Sequence, residues 1–381
     1  MKVVTVVCWL ITASVLAGLV LWFLTGTVFG VKFANLGPDW SFGFNIGNIE
    51  ALTGPYKTAG TYEVSTEGIN SLNIDWVAGN VTVRPYEGAE IKIIEYAQRD
   101  LSDNETLRYS TSGGKLTIRF RESGLTGKMP QKKLEVFIPR ALCEDLHDFT
   151  IDSASGGIDV ESIVATAIKV DSTSGSISAV NITARTFSAN STSGSISLNN
   201  IQADNLKADC TSGSITVTSA KAVDMEIDSM SGRIRVSDSS AGKITVDTTS
   251  GSVNVSGAFD DAKLNSISGR IAIDNSAENS ILDANTTSGS LDLTGAFDRV
   301  DADSISGSIE IRSSIIPSSV KVDSTSGSIT IAVPNTGSIS VHHSSTSGRF
   351  SSDIPVVMQG RGAQFDLSTI SGSARIIAIN N

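Results

Sequence analysis

Histidine, cysteine, basic residues and aromatic rings are all scarce in this chain, and each shortage closes a class of function. Among 381 residues there are three histidines; His342 and His343 are adjacent and only His147 stands elsewhere, so a zinc cluster of ordinary spacing cannot be assembled. Lys+Arg 29 stand against Asp+Glu 40, a formal charge of -11. The basic footprint of a nucleic-acid binder is missing, and anionic lipid or phosphate-bearing polymer would on average be repelled. Aromatic residues make up 6% of the chain, too few to offer regular platforms for sugar rings. No Gly-x-Ser-x-Gly nucleophile elbow occurs, and Gly127-Lys128 lacks the spaced glycine of a phosphate loop. The residues therefore assign no catalytic, cofactor-binding or metal site and no cofactor; a polysaccharide-active enzyme is the lesser reading beside a non-catalytic one.

What the chain has in abundance is a Ser-Gly repeat. Its glycines are Gly156, Gly175, Gly194, Gly213, Gly232, Gly251, Gly269, Gly289, Gly307, Gly327, Gly348 and Gly372, spaced by 19 five times, then by 18, 20, 18, 20, 21 and 24. A short, regular period marks a stacked architecture. Seven residues before the glycines stand Phe149, Ile168, Phe187, Leu206, Met225 and Ile244; two after them stand Ile158, Ile177, Ile196, Ile215 and Ile234. Alternate residues face inward on each side, but the parity slips across the Ser-Gly, so the pair is a corner between two strands, with glycine supplying unusual backbone angles. Alanines at Ala165, Ala184, Ala203, Ala222 and Ala241 turn a methyl inward from the connector. The columns predict an all-β parallel β-solenoid of about twelve coils; an antiparallel meander with Ser-Gly hairpin turns is the rival. Gly257-Ala258-Phe259-Asp260 recurs as Gly295-Ala296-Phe297-Asp298, which reads as a duplicated two-coil segment.

Residues 1–31 form a second signal. From Val3 to Val31 there is no charged residue, and Lys2 precedes the run. A helix of that length spans a bilayer, and the flanking charge leaves the amino terminus in the cytoplasm with the remaining chain exported. The expectation is a transmembrane signal anchor, with a cleaved signal peptide as the alternative. Residues 32–61, with Trp40, Phe42 and Phe44 on alternate positions, read as a juxtamembrane linker. Residues 62–148 read as an N-terminal β cap and 149–381 as the solenoid, because a repeat stack needs its terminal strands covered.

Three phrases carry a family resemblance: Ile74-Asp75-Trp76 with Gly79-Asn80-Val81-Thr82-Val83; Gly114-Lys115-Leu116-Thr117-Ile118 with Leu134-Glu135-Val136-Phe137-Ile138-Pro139; and Ser-Gly-x-Ile, as in Ser174-Gly175-Ser176-Ile177. From Tyr62 onward the chain resembles the bacterial putative-adhesin family of β-strand-repeat proteins, a domain of unknown function. The resemblance implies a single amino-terminal membrane segment, an association of some members with cell-envelope stress, and no catalytic residues to carry over.

Four residues before the glycines runs an acidic and amide column: Asp152, Asp171, Asn190, Asp209, Asp228, Asp247, Asn265, Asn285, Asp303 and Asp323. Such residues cap turns by accepting from backbone N–H groups, or they recruit a hard cation such as calcium. A Cys143–Cys210 bridge would cross about three coils, roughly 14 Å, so both thiols are expected free and Cys210 a small buried filler. The wide spacing before Gly372, with Pro355 and Gly360-Arg361-Gly362, predicts a loop leaving the stack. The expected function is a membrane-tethered cell-surface adhesin or interaction scaffold, with its C-terminal β domain extracellular and a cell-wall polymer or another surface protein as partner. A sensing module of the envelope-stress response is the alternative.

Overall fold

A computed structural model describes residues 27–28, 31–32, 49–50, 54–122, 129–358 and 360–379. The chain divides into Met1–Gly47 and Asn48–Asn381. In the first unit Thr27–Val28 pairs antiparallel with Val31–Lys32. The rest of the expected membrane segment 1–31 lies outside the described residues, and among the described residues no helix is long and apolar enough to cross a membrane.

In the second unit, strands with period-two alternation stack in parallel into an all-β solenoid of about eleven turns, the number delimited by the twelve Ser-Gly corners. Ile177 pairs with Ile196, Ile196 with Ile215 and Ile215 with Ile234. Across the corner Phe187, Leu206, Met225 and Ile244 stack likewise. All eight are at most 2% exposed, and each such side chain contributes about 1.5–3 kcal/mol of burial, so every rung repeats the same stabilisation. The parallel stacking also excludes the hairpin meander.

The corner glycines are required mainly by crowding. A Cβ on Gly175 would stand 1.7 Å from the carbonyl oxygen of Gly156, and at Gly194, Gly213 and Gly232 the corresponding distances are 2.0, 2.3 and 2.1 Å. Of this column only Gly79, Gly156 and Gly307 have left-handed φ, at 96°, 125° and 149°. The expectation of unusual angles at every corner is thus corrected: one backbone passes where the next residue's side chain would be. The left-handed corner lies six residues further on, at Ser162, Asn181, Asn200, Ser219 and Asp238, with φ of 57°, 56°, 54°, 55° and 50°. Asn and Asp tolerate that conformation better than other side chains. A further inward column follows it at Ile163, Ile182, Ile201 and Ala220, each at most 1% exposed.

Both ends of the stack depart from chain order. Parallel stacking continues below residue 149, where Ser71–Ala78 and Val81–Tyr86 pair with Leu146–Ser155 and Ile158–Glu161. The later strands Lys115–Arg119 and Lys132–Pro139 lie on the outer side of that rung. Antiparallel strands Glu90–Ala97, Lys57–Ser65 and Arg108–Ser112 then close this end, replacing the open parallel edge. Beneath them Lys132 and Glu95, both 0% exposed, form an ion pair at 2.6 Å. The ammonium also donates to the carbonyls of Glu105 (2.7 Å) and Phe120, and it lies 4.0 Å from the Phe120 ring centroid. Burial lowers the Lys132 pKa to about 8, although Glu95 opposes the shift.

At the opposite end Ala363–Ser371 and Ala374–Ala378 pair with Ser319–Ser326 and Ile329–Val333 on one side. On the other side they pair with Ile339–Ser345 and Phe350–Ser352. The last rung of the chain is therefore inserted beneath the one before it. Side-chain polarity explains the order. Phe365, Leu367, Ala374 and Ile376 are at most 1% exposed between two rungs, whereas the outermost rung presents His343 and Ser352 at the matching positions. Stacking in chain order would place His343 between Val322 and Leu367, with its ring nitrogens deep in an apolar core. The loop expected between Gly348 and Gly372 is present: Val356–Met358 lies against Ile339–Val341.

Candidate functional site

The outward faces are built from the same register as the core, so each rung adds one residue to every surface column. The acidic and amide column starts one rung earlier than the sequence indicated, at Asp75, which pairs with Asp152. It then runs through Asp171, Asn190, Asp209, Asp228, Asp247, Asn265, Asn285 and Asp303 to Asp323. Arg119 closes the lower end, 3.7 Å from Asp75.

These side chains bond along the ladder. Asn190 Nδ2 donates to Asp171 Oδ1 at 2.6 Å, Asn265 Nδ2 to Asp247 Oδ1 at 2.7 Å, and Asn285 Nδ2 to Asn265 Oδ1 at 3.1 Å. Lysines two residues earlier supply counter-charge: Lys169 lies 2.5 Å from Asp171, Lys207 3.5 Å from Asp209, and Lys321 3.2 Å from Asp323. Where two carboxyls meet with no amide between them, both burial and mutual repulsion oppose ionisation. Burial, reinforced by Asp171, pushes Asp152 up to about 6. Burial, reinforced by Asp209, raises Asp228 as well. Among the described residues no group of three or more His, Cys, Asp or Glu is arranged to hold a metal ion.

Corner capping belongs to the next, inward column, a correction to the expectation for the acidic one. Ser172 Oγ accepts from Gly175 N at 2.8 Å, and Ser191 Oγ accepts from Gly194 N at 2.9 Å while donating to the Gly175 carbonyl at 3.2 Å. Cys210 takes the same place, its thiol donating to the Gly194 carbonyl at 3.1 Å. Cys143 and Cys210 are both buried and free, and burial pushes the Cys143 thiol up to about 12. The sequence signal for capping is this column itself, three residues before each glycine, with Ser172, Ser191, Ser229 and Thr248.

The other candidates lie apart. His147 contacts Asp148 at 2.9 Å near the lower end, whereas His342 and His343 sit on the outermost rung, where His343 stacks on Phe350 at 5.4 Å. Ala165, Ala184, Ala203 and Ala222 floor a shallow groove of roughly 570 Å³, walled by residues including Arg185, Gln202, Asp204 and Lys221. Ala165, Ala184 and Ala203 are buried at the groove floor, whereas Ala222 is half-buried. Arg185, Asp204 and Val223 stand at successive rungs along one wall.

Comparison with curated proteins gives no match. Among solved structures, a putative adhesin from Parabacteroides merdae is 10% identical with TM-score 0.33, covering 84% of this chain and 96% of that one. A putative adhesin from Bacteroides fragilis is 15% identical with TM-score 0.24, covering 86% and 98%. A protein from Parabacteroides distasonis described as a putative lipid binding protein is 13% identical with TM-score 0.30, covering 86% and 98%. The Toastrack DUF4097 profile matches residues 69–259 and 257–377, which include the out-of-order rung at each end of the stack. The chain belongs to the Toastrack DUF4097 family.

Proposed function

We propose that this protein is a membrane-tethered cell-surface solenoid that works by non-catalytic binding or spacing, as an adhesin or interaction scaffold with its C-terminal β domain outside the cell. The observation that carries this reading is the ladder from Asp75 to Asp323, whose polar groups are spread one per rung along a stiff stack. Catalysis needs groups of different chemistry converging on one reacting atom, whereas a spread row of amides, carboxyls and hydroxyls suits a long, repetitive partner. The uncharged run Val3 to Val31 behind Lys2 supports the tether. A wall polymer or another surface protein fits the partner; the charge of -11 favours a neutral or basic one.

Two measurements test the reading together. Protease added to intact cells with a permeable wall should remove the solenoid, and the purified full-length chain should bind isolated cell wall or whole cells. Complete protection from external protease would sink the surface placement; turnover of glycan substrates would sink the non-catalytic role.

A further inference from the structure

We propose that the inserted C-terminal rung is exchanged between two copies of this chain, each copy's residues 363–378 filling the slot of the other. The inference takes its cellular setting from the surface reading above, but its structural basis is independent of it.

The slot lies between Ser319–Ser326 with Ile329–Val333 below and Ile339–Ser345 with Phe350–Ser352 above. Its occupant satisfies backbone pairing on both edges and buries Phe365, Leu367, Ala374 and Ile376 to 1% exposure or less. Residues 334–338 join the two flanking rungs directly, so the slot does not depend covalently on what fills it. The occupant, residues 363–378, is joined to the outermost rung through residues 353–362. Within that connection Asp353 and buried Ile354 stay with the outermost rung, Val356–Met358 pairs with Ile339–Val341 and leaves Val357 49% and Met358 57% exposed, and Gly360 N donates to Ser340 Oγ at 2.8 Å, so exchange must break this last strand pairing and hydrogen bond. Residues 355–362, fully extended, reach further than the gap to be crossed. The slots of two facing tips are separated by about 20 Å, from two rung spacings and one packing distance. A second copy is the fitting partner because its segment reproduces every contact of the original, which makes exchange nearly neutral in contact energy. This end of the stack is opposite the end closed by Lys57–Ser65 and its antiparallel neighbours. On a rod entered at Lys57, exchange would therefore join two tips.

Ser324 and Thr369 are strand partners across the slot, at a spacing that a disulfide bridges. Two full-length populations, one carrying Ser324→Cys and one Thr369→Cys, are unfolded together, refolded at high concentration and oxidised. A mixed covalent dimer should exceed by at least tenfold any dimer formed by either population alone, which reports the native cysteines. The double variant on one chain should close internally at low concentration, showing that the fold and the geometry are intact. The outward partners Lys321 and Asp366 provide a second pair, Lys321→Cys with Asp366→Cys, tested in parallel. Absence of a mixed dimer from both pairs overturns the exchange. Cells displaying the chain should cluster, and should cease to when Ser324→Cys/Thr369→Cys is locked internally by oxidation. Exchange in solution without clustering would remove the surface setting and leave the exchange standing.

Discussion

Asn275 holds the backbone of Phe259 from the neighbouring rung, its Oδ1 accepting from Phe259 N at 2.9 Å and its Nδ2 donating to the Phe259 carbonyl at 2.8 Å. The repeat spacing falls to 18 here, and strand pairing skips from Gly257 to Asp261, so both backbone groups lose their ladder partners. Asn275 is 2% exposed and replaces them. Asn275→Ala leaves a buried donor and a buried acceptor unpaired, and should destabilise the stack by about 2 kcal/mol or more. Urea unfolding followed by circular dichroism checks this; an unchanged midpoint would show that water or a backbone shift satisfies Phe259 instead.

Glycines in this chain differ sharply in what an added methyl meets. At Gly194 a Cβ would lie 2.0 Å from the Gly175 carbonyl oxygen, deep in the corner, whereas at Gly242 the nearest atom is the Val223 carbonyl oxygen at 3.2 Å. Gly194→Ala must push two rungs apart and should cost about 3 kcal/mol or more. Gly242→Ala should stay within about 1 kcal/mol of the parent. Thermal melts of the two variants provide the comparison, and equal shifts would mean that corner crowding relaxes freely.

The Lys132–Glu95 pair is the polar centre of the closed end. Lys132→Met removes the ion-pair partner of the buried Glu95 carboxylate, which still accepts from Leu107 N–H, and should destabilise by about 3–5 kcal/mol. Pairing it with Glu95→Leu removes the stranded charge, so the double variant should recover part of the loss even though the Glu105 and Phe120 carbonyls lose their donor. A double variant no better than the single would show that those carbonyls, and not the carboxylate, set the penalty.

Much of this was legible because a solenoid repeats its sequence wherever it repeats its structure. The column Ile177, Ile196, Ile215 announced both the strand and its neighbours. Less visible was anything that depends on which rung touches which. Nothing in the spacing says that 363–378 lies beneath 339–352; the signal is one of polarity, His343 standing in an otherwise apolar column where a rung must be outermost. Trp76 and Gly79 likewise belong to the stack but lie outside the regular period, because residues 90–139 intervene before the next rung. The ladder's sideways bonding was hidden for a different reason: Asp and Asn suit a turn cap as well as a lateral amide–carboxylate pair, and only the strand register separates the two.

That lateral bonding gives the stack a pH dependence of definite sign. Asp152 is held up at about 6, first by burial and then by Asp171, above its value in an unfolded chain. A group raised on folding contributes stability that is complete below its unfolded pKa, near 4, and lost as pH rises through about 6. Asp228, raised by burial and by Asp209, acts in the same direction. The melting temperature should therefore climb as pH falls from 7 towards 5. Asn190, Asn265 and Asn285 already show the remedy, an amide donating to its ladder neighbour. Asp228→Asn should place the same donor opposite Asp209, raise stability at pH 7 by on the order of 1 kcal/mol after allowance for solvent screening, and flatten the climb. Melts of parent and variant across pH 4 to 8 decide it: a variant less stable at pH 7, or one with an unchanged slope, would mean that Asp209 and Asp228 do not oppose each other across the rungs.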